Sequence, residues 1–178
     1  MHKSSSGIYY YSDNFGAIEC GFENAGSMLI ILPDERVTPE TLLGDPDAKK
    51  LMYSHGRDVN YEHVLINLSL PKFDVSGMSS MADGMIALGV TDIFSPSTAD
   101  LSALVSNNVP AYVDKISQAV RVKIDEEGCE AAAYTAIYAS GSAVPPTDVV
   151  NFVVNRPFIF VVKGMDGMPL FMGIIGNP

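Results

Sequence analysis

Short apolar runs separated by turn residues dominate the chain. Between residues 64 and 70, apolar side chains alternate with Leu65, Asn67 and Ser69, which is the period of two expected of a strand. Residues 27–32 are instead continuously apolar and are followed by a Pro-Asp-Glu turn signal. Further strands are predicted over 7–11, 17–22, 113–124, 151–154, 157–163 and 169–175.

Helical signals are few and short. Residues 38–53 begin with Thr38-Pro39, which places proline at the first helical position, and Gly44-Asp45-Pro46 interrupts them. Residues 81–89 predict a short helix whose methionines fill gaps in the core, and residues 99–102 predict a helical turn. Together these patterns indicate an α+β fold of mostly antiparallel sheets with a few short helices.

Two apolar runs near the carboxyl end predict a hairpin. Residues 158–162 and 170–175 are apolar on both faces, and the Gly-Met-Asp-Gly sequence at 164–167 forms a turn signal between them. Strands that are apolar on both faces are typical of a protein interior. We therefore expect a buried antiparallel pair.

The tract DEEGCEAAAYTAIYASGSAVPP, residues 125–146, combines helix and strand signals. Its alanines favour a helix, yet its apolar positions form no helical stripe. With a period of two, one face carries Cys129, Ala131, Ala133, Thr135, Ile137 and Ala139, and the other carries Glu130, Ala132, Tyr134, Ala136, Tyr138 and Ser140. The first face is small and mostly apolar, so the tract can become a strand. An exposed loop with an accidental pattern is the alternative.

The composition of the 178 residues limits the classes of function. Hydrophobic residues make up 47% and charged residues 18%, which is typical of one globular domain. The formal net charge of −10 argues against binding to nucleic acid or to anionic membranes, since both require a basic face. No apolar run approaches the length of a membrane span, and the first residues lack the apolar centre of a signal peptide.

The cysteines and histidines predict no metal or catalytic site. Cys20 and Cys129 form no CxxC motif, and His2, His55 and His63 are scattered, so neither zinc nor a disulfide framework is expected. A histidine paired with Cys129 and an acid would make a protease-like site, but no surrounding motif supports one. We expect no enzyme activity, no cofactor and no metal.

The tract also carries the motif of a known family. Residues 126–136 read Glu-Glu-Gly-Cys-Glu-Ala-Ala-Ala-Tyr-Thr-Ala, and further motifs are LPKF at 70–73, LGVTDIFS at 88–95, ADLS at 99–102, RPFIF at 156–160, LFMG at 170–173 and a closing Asn-Pro. These motifs, in this order, resemble the carboxy-terminal half of the serpins, the serine protease inhibitors. The resemblance implies a single partial serpin domain over residues 1–178. It also implies that the hinge of the loop consists of Glu126, Glu127, Gly128, Cys129, Glu130, Ala131, Ala132 and Ala133.

The resemblance implies that residues 128–146 are the reactive-centre loop, offered to a protease as bait. Counted from the hinge glycine as in the family, the bond that is cut is Ser142–Ala143. The loop then inserts as an extra strand into the large sheet and holds the protease as an acyl-enzyme. Residues 128–142 reach roughly 45–50 Å when extended, at about 3.3 Å per residue.

The expected target follows from the small residue before the bond. Ser142 suits a serine protease with a shallow, uncharged primary pocket, so elastase-like or subtilisin-like proteases are the expected partners. Trypsin-like proteases, which need a cation there, are not. A shift of the count by one residue would place Gly141 or Ala143 before the bond instead.

Two residues outside the tract correspond to family residues that support insertion of the loop. Lys72 and Glu126 match a family pair that bridges the top of the large sheet, although a solvated ion pair contributing under about 1 kcal/mol is the alternative. Gln118 stands where the family commonly has histidine, in a buried cluster under the point where the sheet opens. Glutamine keeps a donor and an acceptor, so an altered cluster is expected.

The match also leaves a large part of the family's fold unaccounted for. The family's amino-terminal helices and three strands of its large sheet have no counterpart in these residues, so exposed strand edges and an exposed apolar sheet face are expected. Trapping is then expected to need a separate amino-terminal half. The alternative is a non-inhibitory fragment that self-associates by strand pairing or domain swapping. For a full-length parent, an extracellular or periplasmic location is favoured.

Overall fold

The described residues form two compact units. The computed structural model describes residues 1–22, 26–54, 58–104, 111–125 and 146–178. One unit joins Met1–Phe73 with Lys123–Pro178, and the other is Asp74–Val122. The single domain expected over residues 1–178 stays a prediction.

A seven-stranded sheet makes up most of the first unit. Its strands are β1 (His2–Tyr11), β2 (Phe15–Phe22), β3 (Gly26–Pro33), β4 (Asn60–Ser69), β7 (Val149–Val153), β8 (Phe158–Lys163) and β9 (Pro169–Ile175). Their order is β7-β4-β1-β2-β3-β8-β9. Neighbouring strands are antiparallel except β4 and β7, which run parallel. The mostly antiparallel architecture predicted from the sequence is therefore present.

Two short helices cover one face of this sheet. Helix α1 (Pro39–Leu42) and helix α2 (Pro46–Tyr53) are separated where the sequence predicts a break. The Asp45 side chain caps α2 by accepting hydrogen bonds from the amides of Asp47 and Ala48 at 2.9 and 3.0 Å. The buried cluster beneath the helices contains Tyr10, Phe15, Ala17, Leu29, Ile31, Leu42, Ala48, Leu51, Met52, Val59, Ile159 and Val161.

The other elements of the described residues are a pair of strands, a short helix and a 3₁₀ turn. Strands β5 (Phe73–Ser80) and β6 (Ser117–Ile124) form a two-stranded sheet. The second unit contains most of both strands, together with helix α3 (Ala82–Ala87) and a 3₁₀ turn at Asp92–Phe94. In the described part of the chain, no helix has the length and apolar character needed to cross a membrane.

Two sequence predictions about this second unit are wrong in detail. The strand predicted over 113–124 begins only at Ser117, because the Val113 amide donates to the Ile93 carbonyl at 2.8 Å instead of to a strand. The helical turn predicted over 99–102 is absent, and the Asp100 carboxylate accepts from the Ser102 amide at 3.1 Å. Local side-chain bonding of this kind competes with helix formation.

The predicted burial of two apolar segments is also wrong. Helix α3 has no buried residue, and Met81, which precedes it, is 38% exposed. In the hairpin, β8 is buried as expected, but Leu170 and Met172 of β9 are 58% and 43% exposed. Strand β9 is the last strand of the sheet, so one of its edges has no neighbouring strand among the described residues.

Candidate functional site

The tract predicted to carry the function joins two strands of the described structure. The hinge residues Glu126, Glu127, Gly128, Cys129, Glu130, Ala131, Ala132 and Ala133, together with Ser142 and Ala143, lie outside the described residues. Their assigned roles therefore stay predictions. The described chain on either side of the tract defines how its two ends are held.

The amino-terminal end of the tract is held by burial of the last residue of β6. Ile124 is 5% exposed, and burying such a side chain contributes about 1.5–3 kcal/mol. Beside it, the Lys123 ammonium lies 2.7 Å from the Asp125 carboxylate. The Lys123 side chain is 60% exposed, so the ion pair contributes at most about 1 kcal/mol and the isoleucine is the stronger anchor.

The carboxyl-terminal end of the tract is held by strand pairing. The Leu65 amide donates to the Asp148 carbonyl at 2.8 Å, and the parallel ladder between β4 and β7 begins at the next residue. Within β7, the Phe152 side chain is 4% exposed and meets the Tyr9 ring edge-on at 6.3 Å. Both ends of the tract are thus fixed in the same unit.

The strand that leads into the tract is joined to β5 by a paired charge. The Arg121 guanidinium donates to both carboxylate oxygens of Asp74, at 2.8 and 2.6 Å. These hydrogen bonds and the nearby negative charge raise the pKa of the Arg121 side chain above its ordinary value. The forked geometry fixes the register of the two strands, although both side chains are too exposed for a large energetic effect.

Two residues that the family motif assigns to support of the loop, Lys72 and Gln118, lie within the described residues. Lys72 is exposed and precedes β5, next to the buried Phe73, while its predicted partner Glu126 lies outside the described residues. Gln118 lies on β6 and is exposed, whereas the corresponding family residue is part of a buried cluster. The roles of both residues stay predictions.

An aromatic cluster beneath the start of β5 was missed by the sequence analysis. The Phe73 ring meets Phe158 at 5.8 Å and Phe160 at 5.2 Å between ring centroids. All three side chains are buried. The sequence motifs that contain these phenylalanines were identified from the sequence. Their contact could not be, because it joins segments about 85 residues apart and depends on the fold. The cluster anchors Phe73, the first residue of β5, against β8 within the first unit.

Comparison with known proteins identifies one family. The family model described as "Serpin (serine protease inhibitor)" matches residues 1–178. "Serine proteinase inhibitor 2" of Variola virus is 33% identical over 168 residues, covering 93% of this chain and 46% of that protein. The human "Leukocyte elastase inhibitor" is 31% identical over 156 residues, covering 85% of this chain and 40% of that protein.

A solved structure gives the same result for the fold. The thermophilic serpin tengpin, in its native state, superposes with a TM-score of 0.74 at 25% identity. The superposition covers 100% of this chain and 46% of tengpin. The chain thus spans about half the length of the relatives that it matches, and the expected partial fold is confirmed.

Proposed function

Because this chain belongs to the serpin family, we propose that it is the bait-bearing half of a serine protease inhibitor, cut at Ser142–Ala143. The observation that supports this role is the attachment of the tract at both ends. Buried Ile124 holds one end, and the hydrogen bond to the Asp148 carbonyl holds the other. A segment held at both ends can present one bond to a protease without leaving the fold.

The inhibitory step in this proposal is insertion of the cut tract beside β6. In the two-stranded sheet, β5 pairs with one edge of β6, and no strand is described along the other edge. The tract follows β6 directly, so after a bend at Gly128 it can pair with that edge. The face of small residues would then pack inward and the face with both tyrosines outward. Full trapping is expected to need a further strand, supplied by a separate amino-terminal half.

The experiment that tests trapping compares arginine on the two faces of the tract. The chain, combined with the amino-terminal part of its Variola relative, is incubated with elastase, and the SDS-resistant complex is measured. Ala133→Arg is expected to abolish the complex while cleavage continues, because burying an unpaired charge costs several kcal/mol. Ala132→Arg, on the outward face, is the matched control and should retain most of the complex. Equal effects of both substitutions would contradict insertion.

A second candidate function is self-association, which the exposure of β9 favours. This edge strand contains no charged residue, and Leu170, Phe171 and Met172 are 58%, 42% and 43% exposed. Uncharged apolar edges pair readily with other chains, and an antiparallel pair of β9 strands would close as a two-fold dimer.

Light scattering tests this second candidate. If β9 pairs between copies, the chain forms dimers or larger species at micromolar concentration, and Leu170→Lys shifts it to monomer, since the added charges would oppose each other across the pair. Glu62→Lys, at an exposed position on β4, is the control and should leave the assembly unchanged. A monodisperse, heat-stable monomer of the unmodified chain would count against self-association.

A further inference from the structure

Arg156 and Asp34, which the proposed trapping step does not use, line one pocket of the first unit. Arg156 precedes β8, and Asp34 follows the last residue of β3. The pocket has a volume of about 230 Å³, and its other walls come from β1, β2 and β7. Pockets that hold drug-sized ligands have volumes of about 300–1,000 Å³, so this one suits a smaller molecule.

The Arg156 guanidinium is held in place with part of its donors unused. Its Nε donates to the Pro33 carbonyl at 2.7 Å, and its Nη1 lies 3.5 Å from the Asn155 amide oxygen. Among the described residues, its Nη2 has neither a hydrogen bond nor an ion pair. The planar guanidinium matches the shape of a carboxylate, so Arg156 can still bind an anionic group.

The Asp34 carboxylate is also available. The backbone on both sides of it is fixed, since the Asp34 amide donates to the Asn14 carbonyl and its carbonyl accepts from the Val37 amide, both at 2.9 Å. In the part of the chain that the structure describes, its side chain forms no hydrogen bond and no ion pair, with Arg156 or with any other residue. The pocket thus contains two opposite charges that do not contact each other.

The Tyr9 phenol lies near both of these charges. Burial raises the pKa of the Tyr9 phenol above its ordinary value. The carboxylates of Asp34 and Glu62 raise this pKa further, and the Arg156 guanidinium lowers it. The ring is packed edge-on against Phe152 at 6.3 Å, and its hydroxyl has no hydrogen-bond partner within the described ranges. The phenol therefore stays protonated at neutral pH and offers one further donor.

The two charges disfavour a ligand that carries a charge of one sign. A simple anion would be attracted by Arg156 but repelled by Asp34 and by the formal net charge of −10. A simple cation would be attracted by Asp34 but repelled by Arg156. A small zwitterion finds an opposite charge for each of its own groups, and a free α-amino acid carries both groups on one carbon atom.

We propose that this pocket binds a free α-amino acid with a small, uncharged side chain. Arg156 and the Tyr9 hydroxyl donate to the carboxylate of the ligand, and Asp34 accepts from its ammonium group. The small volume favours a short side chain. The site lies outside the bait tract, and its occupation does not depend on protease trapping.

The test titrates the full chain with L-alanine and follows its N–H signals by NMR. Two further probes each lack one charge, since propionate has no ammonium group and ethylamine has no carboxylate. L-alanine is expected to shift the signals of Asp34, Asn151 and the Arg156 Nε–H, all of which line the pocket. It should bind at least about tenfold more tightly than either probe, because each probe loses a charge-assisted hydrogen bond.

Variants at the two charges distinguish a zwitterion site from non-specific binding of ions. Asp34→Asn should weaken L-alanine binding by about tenfold or more and strengthen propionate binding, since it removes the partner of the ammonium group and the repulsion of the carboxylate. Arg156→Gln should weaken binding of both ligands. Asp58→Asn, at an exposed position outside the pocket, is the matched control and should bind L-alanine normally.

The signals of the buried Leu29 and Ile31 amides report whether each variant is folded. Asp34→Asn removes no described contact of the side chain, so it gives a result even if Arg156→Gln does not fold. Equal affinity for the three probes, or no binding of L-alanine, would overturn the proposal. So would equal binding of L-alanine by the Asp34→Asn and Asp58→Asn variants.

Discussion

Replacing Ser142 by arginine is expected to transfer cleavage of the tract from elastase-like to trypsin-like proteases. A shallow apolar pocket would have to bury the guanidinium without a partner, at a cost of several kcal/mol. Each 1.4 kcal/mol is a factor of ten, so the kcat/KM for elastase should fall by about a thousandfold or more. Mass spectrometry of the products should show fragments ending at residue 142 and beginning at residue 143.

The control is Ser142→Ala, which keeps a small, uncharged side chain and should change elastase cleavage by less than about tenfold. The boundary of the fragments also tests the count along the tract. If elastase cuts the unmodified chain after Gly141 or Ala143, the bait bond lies one residue away and arginine at that position should have the large effect. Absence of any elastase cut between residues 126 and 145 would contradict the bait assignment itself.

Strand positions were predictable from the sequence where side chains alternate or form apolar runs. The predicted strand at 169–175 has the observed bounds of β9, and the break between α1 and α2 lies at the predicted Gly-Asp-Pro sequence. Strand β1 was predicted from residue 7 only, yet it begins at His2. Its first residues are polar, and they are strand because their backbones pair with β4, which leaves no pattern in the side chains.

Burial was less predictable than strand position, because an apolar pattern does not identify what covers it. Residues 158–162 of β8 and 170–175 of β9 are both continuous apolar runs. Phe158 of β8 is fully buried, with β3 beside it and Phe73 against its ring, whereas Phe171 of β9 is 42% exposed. The difference comes from position in the sheet, since β9 is its last strand. Sheet order depends on contacts between distant segments and is not encoded locally.

The contacts that hold the strand before the tract, residues 125–146, also depend on segments distant in sequence. The resemblance places the strand after Lys72 and the strand ending at Ile124 in one sheet, and β5 and β6 do pair in the structure. The pair of Arg121 and Asp74 was not predicted, although opposite charges on two neighbouring strands were visible. Pairing two such residues requires the register between strands 47 residues apart, which the spacing of charges alone does not determine.

Alanine in place of Phe158 is expected to destabilise the first unit far more than alanine in place of Phe171. Phe158 is 0% exposed and packs edge-on against Phe73, so its removal leaves a cavity and should cost about 3–5 kcal/mol. Phe171 is 42% exposed and loses little on truncation, under about 1 kcal/mol. Urea unfolding followed by circular dichroism measures both free energies.

The comparison should be made at several chain concentrations, because β9 has an open edge. If β9 remains exposed in solution, the small effect of Phe171→Ala will not depend on concentration. A cost for Phe171→Ala that approaches that of Phe158→Ala, and that grows with concentration, would contradict this prediction and would mean that a second chain covers β9. The free energy of unfolding of a domain is typically about 5–15 kcal/mol. The loss expected for Phe158→Ala is a large fraction of this and should clearly lower the urea concentration at the unfolding midpoint.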